Sequence, residues 1–185
     1  MVLALPAQFH NTPDKIPGAV ERRVGTTCYE PVIVLYGDCG TGGNLNRLLK
    51  SRGWWGLHGA HCYATYAGEK SFDQLMHEEP GTFFLTDYLA GSFDHLVYEG
   101  LGLDRFPELS EMYFANYHRV VYLQQRHDPG LVRKAQMAAA SLGLPLEIRH
   151  TGLRHLEQEI EDLLSAAGHF AQPHGISEAL QADLR

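Results

Sequence analysis

The chain has 185 residues, a formal net charge of −7 at pH 7 and 44% hydrophobic residues, which is ordinary for a globular protein. This length favours one domain with one sizeable core. No apolar run approaches the roughly 20 residues that a membrane helix needs, the start lacks the basic segment of a signal peptide, and an acidic chain without a basic run is a poor candidate for nucleic-acid binding. We therefore expect a cytoplasmic protein with no membrane and no nucleic-acid partner.

Strand-like and helix-like segments alternate along the chain. Strands are predicted over residues 2–5, 31–36, 54–59, 82–86, 119–124 and 146–150, the first and third being the weakest. Helices are predicted over residues 13–23, 44–52, 71–78, 87–99, 109–117, 131–142 and 153–166. The pattern predicts a single α/β domain over residues 1–166 and a C-terminal tail over residues 167–185.

Short connections between alternating strands and helices are typical of βαβ units with a mostly parallel sheet. The predicted fold class is therefore α/β, a single-domain Rossmann-like sandwich. In such sheets ligands bind beyond the carboxyl ends of the strands. The residues that follow each strand are the first place to look for a site.

Metal-capable side chains follow the first three predicted strands: His10, Cys39, His61 and Cys62. Thiolate and imidazole are ligands that suit Zn(II) or Fe(II), so these four residues are the predicted metal ligands. Neighbours on an extended segment point to opposite sides, and Cys62 is favoured over His61. The alternative is that the cysteines only fill space, because neither CxxC nor HExxH is present.

A glycine-rich segment follows the second strand and opens a helix. Its residues Gly40, Thr41, Gly42 and Gly43 form the predicted cofactor-binding loop, since backbone N–H groups at a helix start attract an anion. The segment is neither a Walker A loop nor a GxGxxG fingerprint. The alternative is a tight turn that needs glycine only for its geometry.

Cys39 also has a metal-free interpretation. A thiol at a helix N-terminus has a lowered pKa and is nucleophilic. With His61 or His127 as the base and Asp38 or Asp87 nearby, such a thiol would run a transferase or hydrolase reaction. Cys39 and Asp87 are the predicted catalytic residues, although Asp87 has the alternative of orienting a ligand histidine.

Several segments together resemble a known family. Tyr-Gly-Asp-Cys-Gly-Thr-Gly over 36–42, His-Cys-Tyr over 61–63, Pro-Gly-Thr-Phe-Phe-Leu-Thr over 80–86 and the stretch from Leu5 to Pro13 are similar to a widespread bacterial and archaeal family catalogued as a domain of unknown function. Members commonly carry a further strand and a Cys-Gly pair before this point, a segment that the sequence does not contain.

The resemblance implies a setting rather than a reaction. Members of the family are often encoded near corrinoid-dependent methyltransferases that demethylate quaternary amines or similar one-carbon donors. The resemblance therefore implies a small-molecule ligand, a corrinoid methyltransferase system as partner, and Cys39, Cys62 and His10 as the residues to test. A non-catalytic carrier of corrinoid or metal is a further alternative, although no Asp-x-His-x-x-Gly segment is present.

Overall fold

A computed structural model describes residues 3–6, 9, 11–25, 30–57, 59 and 61–171. The strands are β1 (Ile33–Val34), β2 (Trp55–Gly56), β3 (Thr82–Thr86), β4 (Arg119–Gln124) and β5 (Leu146–His150). The α-helices are α1 (Ile16–Val24), α2 (Asn44–Arg52), α3 (Cys62–Ala67), α4 (Glu69–Glu78), α5 (Asp87–Gly91), α6 (Leu109–Phe114), α7 (Pro129–Ser141) and α8 (Arg154–Ala171). A 3₁₀ turn (Pro13–Lys15) precedes α1, and a π-helix (Asp94–Glu99) follows α5.

The strands form parallel pairs throughout the described part of the chain. β1 pairs with β2, and a separate three-stranded sheet has the order β3-β4-β5. In that sheet Thr86 lies opposite Leu123, and Gln124 lies opposite His150. The carboxyl ends of these strands therefore meet at one edge. These features confirm the predicted α/β class with parallel sheets.

Helices cover both faces of the three-stranded sheet, because β3 and β4 carry apolar side chains on both sides. One face, with Val120 and Tyr122, packs against α5, α7 and the π-helix. The other face, with Val121 and Leu123, packs against α3 and α4. A smaller cluster around Leu45 joins β1 to α1 and α2.

Elements with unambiguous local signals lie where they were predicted. The strands β3, β4 and β5 have the predicted boundaries. The central residues of β4 are fully buried. Helix α2 also matches, and Gly53 ends it in the left-handed conformation at φ 66°. Asp128 caps α7 by accepting hydrogen bonds from the N–H groups of Gly130 and Leu131.

Other elements differ from the prediction. Residues 3–6 belong to no strand, because nothing in the described chain pairs with them. The segment 87–99 is interrupted between α5 and the π-helix, and α8 continues through Ala171, beyond the predicted end of the domain. Helix α3 was not predicted. Over the described ranges, we find no helix with the length and apolar character of a membrane span.

Candidate functional site

The two cysteines that follow β1 and β2 meet at the carboxyl end of the two-stranded sheet. The backbone N–H of Cys62 donates to Sγ of Cys39 over 3.4 Å, and both side chains are partly buried. Gly37 makes this approach feasible, since a Cβ on it would lie 3.0 Å from Cys39 Sγ and 3.0 Å from the Cys62 nitrogen. Cys39 and Cys62, which follow the second and third predicted strands, are thus in contact.

The loop after β1 holds Cys39 in a conformation that L-residues rarely adopt, with φ at 37°. Asp38 organises this loop. Its carboxylate accepts a short hydrogen bond from the Thr41 hydroxyl and another from the Gly43 N–H over 2.9 Å. The Thr41 hydroxyl oxygen in turn accepts from the N–H of Leu45 over 3.2 Å, which ties the loop to the start of α2.

These contacts bear directly on the predicted anion-binding loop formed by Gly40, Thr41, Gly42 and Gly43. The carboxylate of Asp38 already accepts the N–H of Gly43, and the carbonyl of Asp38 accepts the N–H of Thr41 over 2.8 Å. A second anion would meet the negative charge of Asp38 at the same position. The geometry therefore favours the alternative of a tight turn that positions Cys39.

Helix α3 positions Cys62 as its first residue. His61 precedes it in extended conformation, and Gly68 ends the helix at φ 80°. Tyr63 anchors the helix, since its ring stacks on Phe84 of β3 at 5.2 Å between centroids and on Phe72 of α4 at 6.4 Å. Packing against two separate elements thus fixes the helix start that carries Cys62.

The neighbouring sulfur of Cys39 raises the proton affinity of Cys62. The pKa of Cys62 is raised, first by its side-chain hydrogen bond with Cys39, then by burial and by the charge of Cys39. Burial and the charges of Cys39 and Cys62 also raise the pKa of Tyr36 to about 12. Cys62 therefore stays protonated where an ordinary thiol ionises, and donates to Cys39.

A cavity of about 420 Å³ opens beside the two thiols. Its apolar wall comes from β3, α5, the π-helix and the turn after it: Phe83, Leu89, Leu96, Val97 and Leu101. Its polar lining residues include Cys39, Cys62, His61, Thr86 and Asn11. The size is in the range of pockets that bury small molecules, roughly 300–1,000 Å³.

The π-helix forms one wall of this cavity and was not predicted. Asn11 is attached to it, because its side-chain amide donates to the carbonyl of Leu96 over 3.1 Å. π-helical turns frequently lie at functional sites. No local sequence pattern distinguishes this segment from an α-helix, although the glycines at 100 and 102 mark its end.

The predicted metal ligands are only partly described. His10 lies outside the described residues. His61 lines the cavity, but its side chain is exposed and its ring lies 6.0 Å from that of Phe72. Within the part of the chain that the structure describes, no three His, Cys, Asp or Glu side chains are grouped as a metal site would require. Cys39 and Cys62 are the predicted ligands that the structure brings into contact.

Asp87 follows the end of β3, and its carboxylate accepts hydrogen bonds from the chain after β3. The carboxylate accepts hydrogen bonds from the Tyr122 hydroxyl over 2.7 Å and from the N–H groups of Gln125 and Arg126, each over 3.0 Å. Nε of Arg126 donates to it over 3.1 Å. Asp87 is 7% exposed, and it fastens β3 to the loop after β4. The side chain of Thr86 caps α5 by accepting a hydrogen bond from the N–H of Leu89.

The remaining candidates lie apart. The ring of His127, a predicted base, lies 5.0 Å from that of His150 at a tilt of 41°, near the ends of β4 and β5. A second cavity of about 550 Å³ lies on that side, with Arg149, His150, His155 and Glu78 in its lining. Cys28 lies outside the described residues.

Comparison with known proteins places the chain in a family. A family profile described as "Protein of unknown function (DUF1638)" matches residues 4–160. No curated protein and no solved structure matches the chain. The matched range contains both cysteines, the glycine-rich turn and all five strands. The chain therefore belongs to the DUF1638 family, whose description assigns no function.

Proposed function

We propose that the chain is a metal-thiolate protein, with Cys39 and Cys62 as the two thiolate ligands of one zinc or iron ion beside a small-molecule cavity. The observation that carries the proposal is the contact between the two cysteines, which come from different strand ends and share a hydrogen bond. Thiolates are preferred ligands of these metals. In the absence of metal, the neighbouring Cys39 makes deprotonation of Cys62 unfavourable. A cation between the two sulfurs would make this deprotonation favourable.

The remaining coordination positions are open to water, to substrate or to an imidazole. His10 and His61 are the two histidines proposed for that role, and His61 already lines the same cavity. A catalytic zinc site keeps one such position free. The metal would supply Lewis-acid polarisation of a bound small molecule.

The setting implied by the family resemblance, one-carbon metabolism linked to corrinoid-dependent methyl transfer, is retained as part of the proposal. A cavity of about 420 Å³ is too small to enclose a corrinoid. We therefore place this chain as an enzyme or accessory protein that handles the small one-carbon donor or product, and not as the corrinoid carrier. Unchanged visible spectra of added cobalamin would agree with this placement.

The deciding experiment is elemental analysis of the untagged protein and of three matched variants. We expect about one zinc or iron per chain in the wild type and in Cys28→Ser, and a loss of metal in Cys39→Ser and Cys62→Ser. His10→Ala and His61→Ala then identify the imidazole ligand. Less than about a tenth of an equivalent after reducing reconstitution, or equal content in every variant, would overturn the proposal.

A metal-free cysteine nucleophile is the second candidate, favoured by one specific observation. Sγ of Cys39 accepts the N–H of Cys62 and the hydrogen bond of the Cys62 thiol, and both contacts stabilise a thiolate on Cys39. This candidate predicts rapid alkylation of Cys39 at neutral pH in protein that lacks metal. Rates for Cys39 no faster than those for Cys28 would exclude it.

A further inference from the structure

The cavity beside the thiols differs in charge from the rest of this acidic protein. Among the described residues, its lining contains no Asp, Glu, Lys or Arg. The second cavity, beyond β4 and β5, provides an internal contrast, because Glu78 and Arg149 line it. An ion that entered the first cavity would lose its hydration without meeting a fixed counter-charge, and this loss disfavours ionic ligands strongly.

The apolar wall of the cavity favours a ligand with an apolar group. Phe83 belongs to the core face of β3, and Leu96 and Val97 are 5% and 7% exposed on the π-helix. Phe83 and Val97 pack into the main hydrophobic core, so this part of the wall is a continuation of that core and is preformed. An apolar group that fills this wall removes hydrocarbon surface from water on both partners.

The proposed metal centre adds no long-range attraction for either sign of charge. A divalent ion held by the thiolates of Cys39 and Cys62 has no net charge. The centre therefore attracts neither an anion nor a cation over distance, and its interaction with a ligand is direct coordination or polarisation. Tyr88, which is 55% exposed, lies in the lining and marks the side open to solvent.

We propose that this cavity binds an uncharged small molecule with an apolar body, whose polar end faces Cys39 and Cys62 and whose carbon skeleton lies against Phe83, Leu96 and Leu101. This inference rests on the proposed function for one point, which is that the polar group of the ligand faces a metal held by Cys39 and Cys62. The charge and shape of the ligand follow from the wall alone. Carboxylates and primary ammonium ions, which are strongly hydrated, are thereby disfavoured as ligands of this cavity.

The test compares three ligands with the same ring and different charge: cyclohexylmethanol, cyclohexanecarboxylate and cyclohexylmethylammonium. Dissociation constants are measured on the protein as purified, by ligand-observed nuclear magnetic resonance. We expect the alcohol to bind about tenfold more tightly than either ion. Equal binding of all three, or tighter binding of the carboxylate or the ammonium ion, would overturn the inference.

Matched variants place the binding in this cavity. Leu101→Ala removes part of the apolar wall and is expected to raise the dissociation constant of cyclohexylmethanol about tenfold. Leu164→Ala, on the exposed face of α8, should leave that dissociation constant unchanged. Circular dichroism shows whether each variant is folded. An equal effect of the two variants would contradict the assignment.

A third variant separates this inference from the proposed metal site. Cys39→Ser removes a proposed ligand but leaves the apolar wall intact, so the preference for the alcohol over both ions is expected to persist. Loss of that preference in Cys39→Ser would overturn the inference. Absence of metal from the wild type overturns the proposed function alone.

Discussion

Sγ of Cys39 accepts the backbone N–H of Cys62 over 3.4 Å, and this contact joins the two strand ends at which the site is built. The side-chain hydrogen bond with Cys39 is also the largest cause of the raised pKa of Cys62. Cys39 thus controls the protonation of Cys62. The residues that hold this pair in place determine the chemistry available to the cavity.

The Cys39→Ser variant is expected to lower the pKa of Cys62 toward its ordinary value, because the sulfur that shares its proton is gone while burial remains. The measurement is the rate of iodoacetamide alkylation of Cys62 against pH, in protein stripped of metal. The midpoint should move to lower pH in Cys39→Ser and stay in place in Cys28→Ser. An unchanged midpoint would show that burial alone sets this pKa.

The stability of the metal-free protein is expected to fall as the solution becomes alkaline. Cys62 has a raised pKa in the folded state, so its contribution is fully present below the unfolded thiol pKa of about 8.5 and is lost as the pH rises toward the folded value. Urea unfolding at a series of pH values measures this slope. Cys62→Ala should flatten it between roughly pH 8 and pH 10; a slope unaltered by that substitution would refute the assignment.

Cys39→Gly is expected to be more stable than Cys39→Ala by about 1 kcal/mol, since only glycine adopts positive φ without steric cost. Both variants lack the thiol, so the comparison isolates the backbone. Urea unfolding of the two variants gives the difference. If Cys39→Ala were equally stable, the loop would have relaxed from the φ of 37°.

Asp87→Ala is expected to destabilise the protein by about 3 kcal/mol, because the Tyr122 hydroxyl and two backbone N–H groups lose their buried acceptor. Asp73→Ala, at an exposed position on α4, is the control and should change stability by less than about 0.5 kcal/mol. Metal content and thiol reactivity should be retained in folded Asp87→Ala protein. Selective loss of either property at intact stability would instead support the catalytic role predicted for Asp87.

Gly100→Ala is expected to cost about 2 kcal/mol or more, since its new Cβ would lie 2.2 Å from the carbonyl oxygen of Leu96 and 2.5 Å from Nδ2 of Asn11. Gly168→Ala, in α8 with no atom near the added carbon, should stabilise the protein by about 0.5–1 kcal/mol. Thermal unfolding compares the two. An unchanged stability of Gly100→Ala would contradict the prediction, because it would mean that the π-helix rearranges around the new Cβ with no loss of stability.

Local sequence signals account for much of the fold. Apolar residues in short segments predicted β3 and β4, whose central positions are buried, whereas β5 alternates apolar with polar residues and is only partly buried. Glycines on either side predicted α2. The rule that ligands bind at the carboxyl ends of parallel strands then placed Cys39 and Cys62 at one edge, where the structure has them.

Tertiary packing decided the rest. Helix α3 is only six residues long, and stacking of Tyr63 on Phe72 and Phe84 stabilises it, so its local pattern carried too little information. The carboxylate of Asp87 is bound by groups that lie 35 or more positions away in the chain. The π-helical wall is joined to Asn11 across 85 positions.

The sequence by itself therefore determined the fold class, the principal strands and the edge at which two thiols lie, because each depends on the hydrophobicity and turn residues of a short segment. Only the tertiary structure decided that the two cysteines are in hydrogen-bond contact, that Asp38 and Asp87 accept hydrogen bonds from distant or loop groups, and that the adjoining cavity has an uncharged lining over its described residues. These properties depend on distances between segments far apart in the chain, and no local pattern encodes such distances.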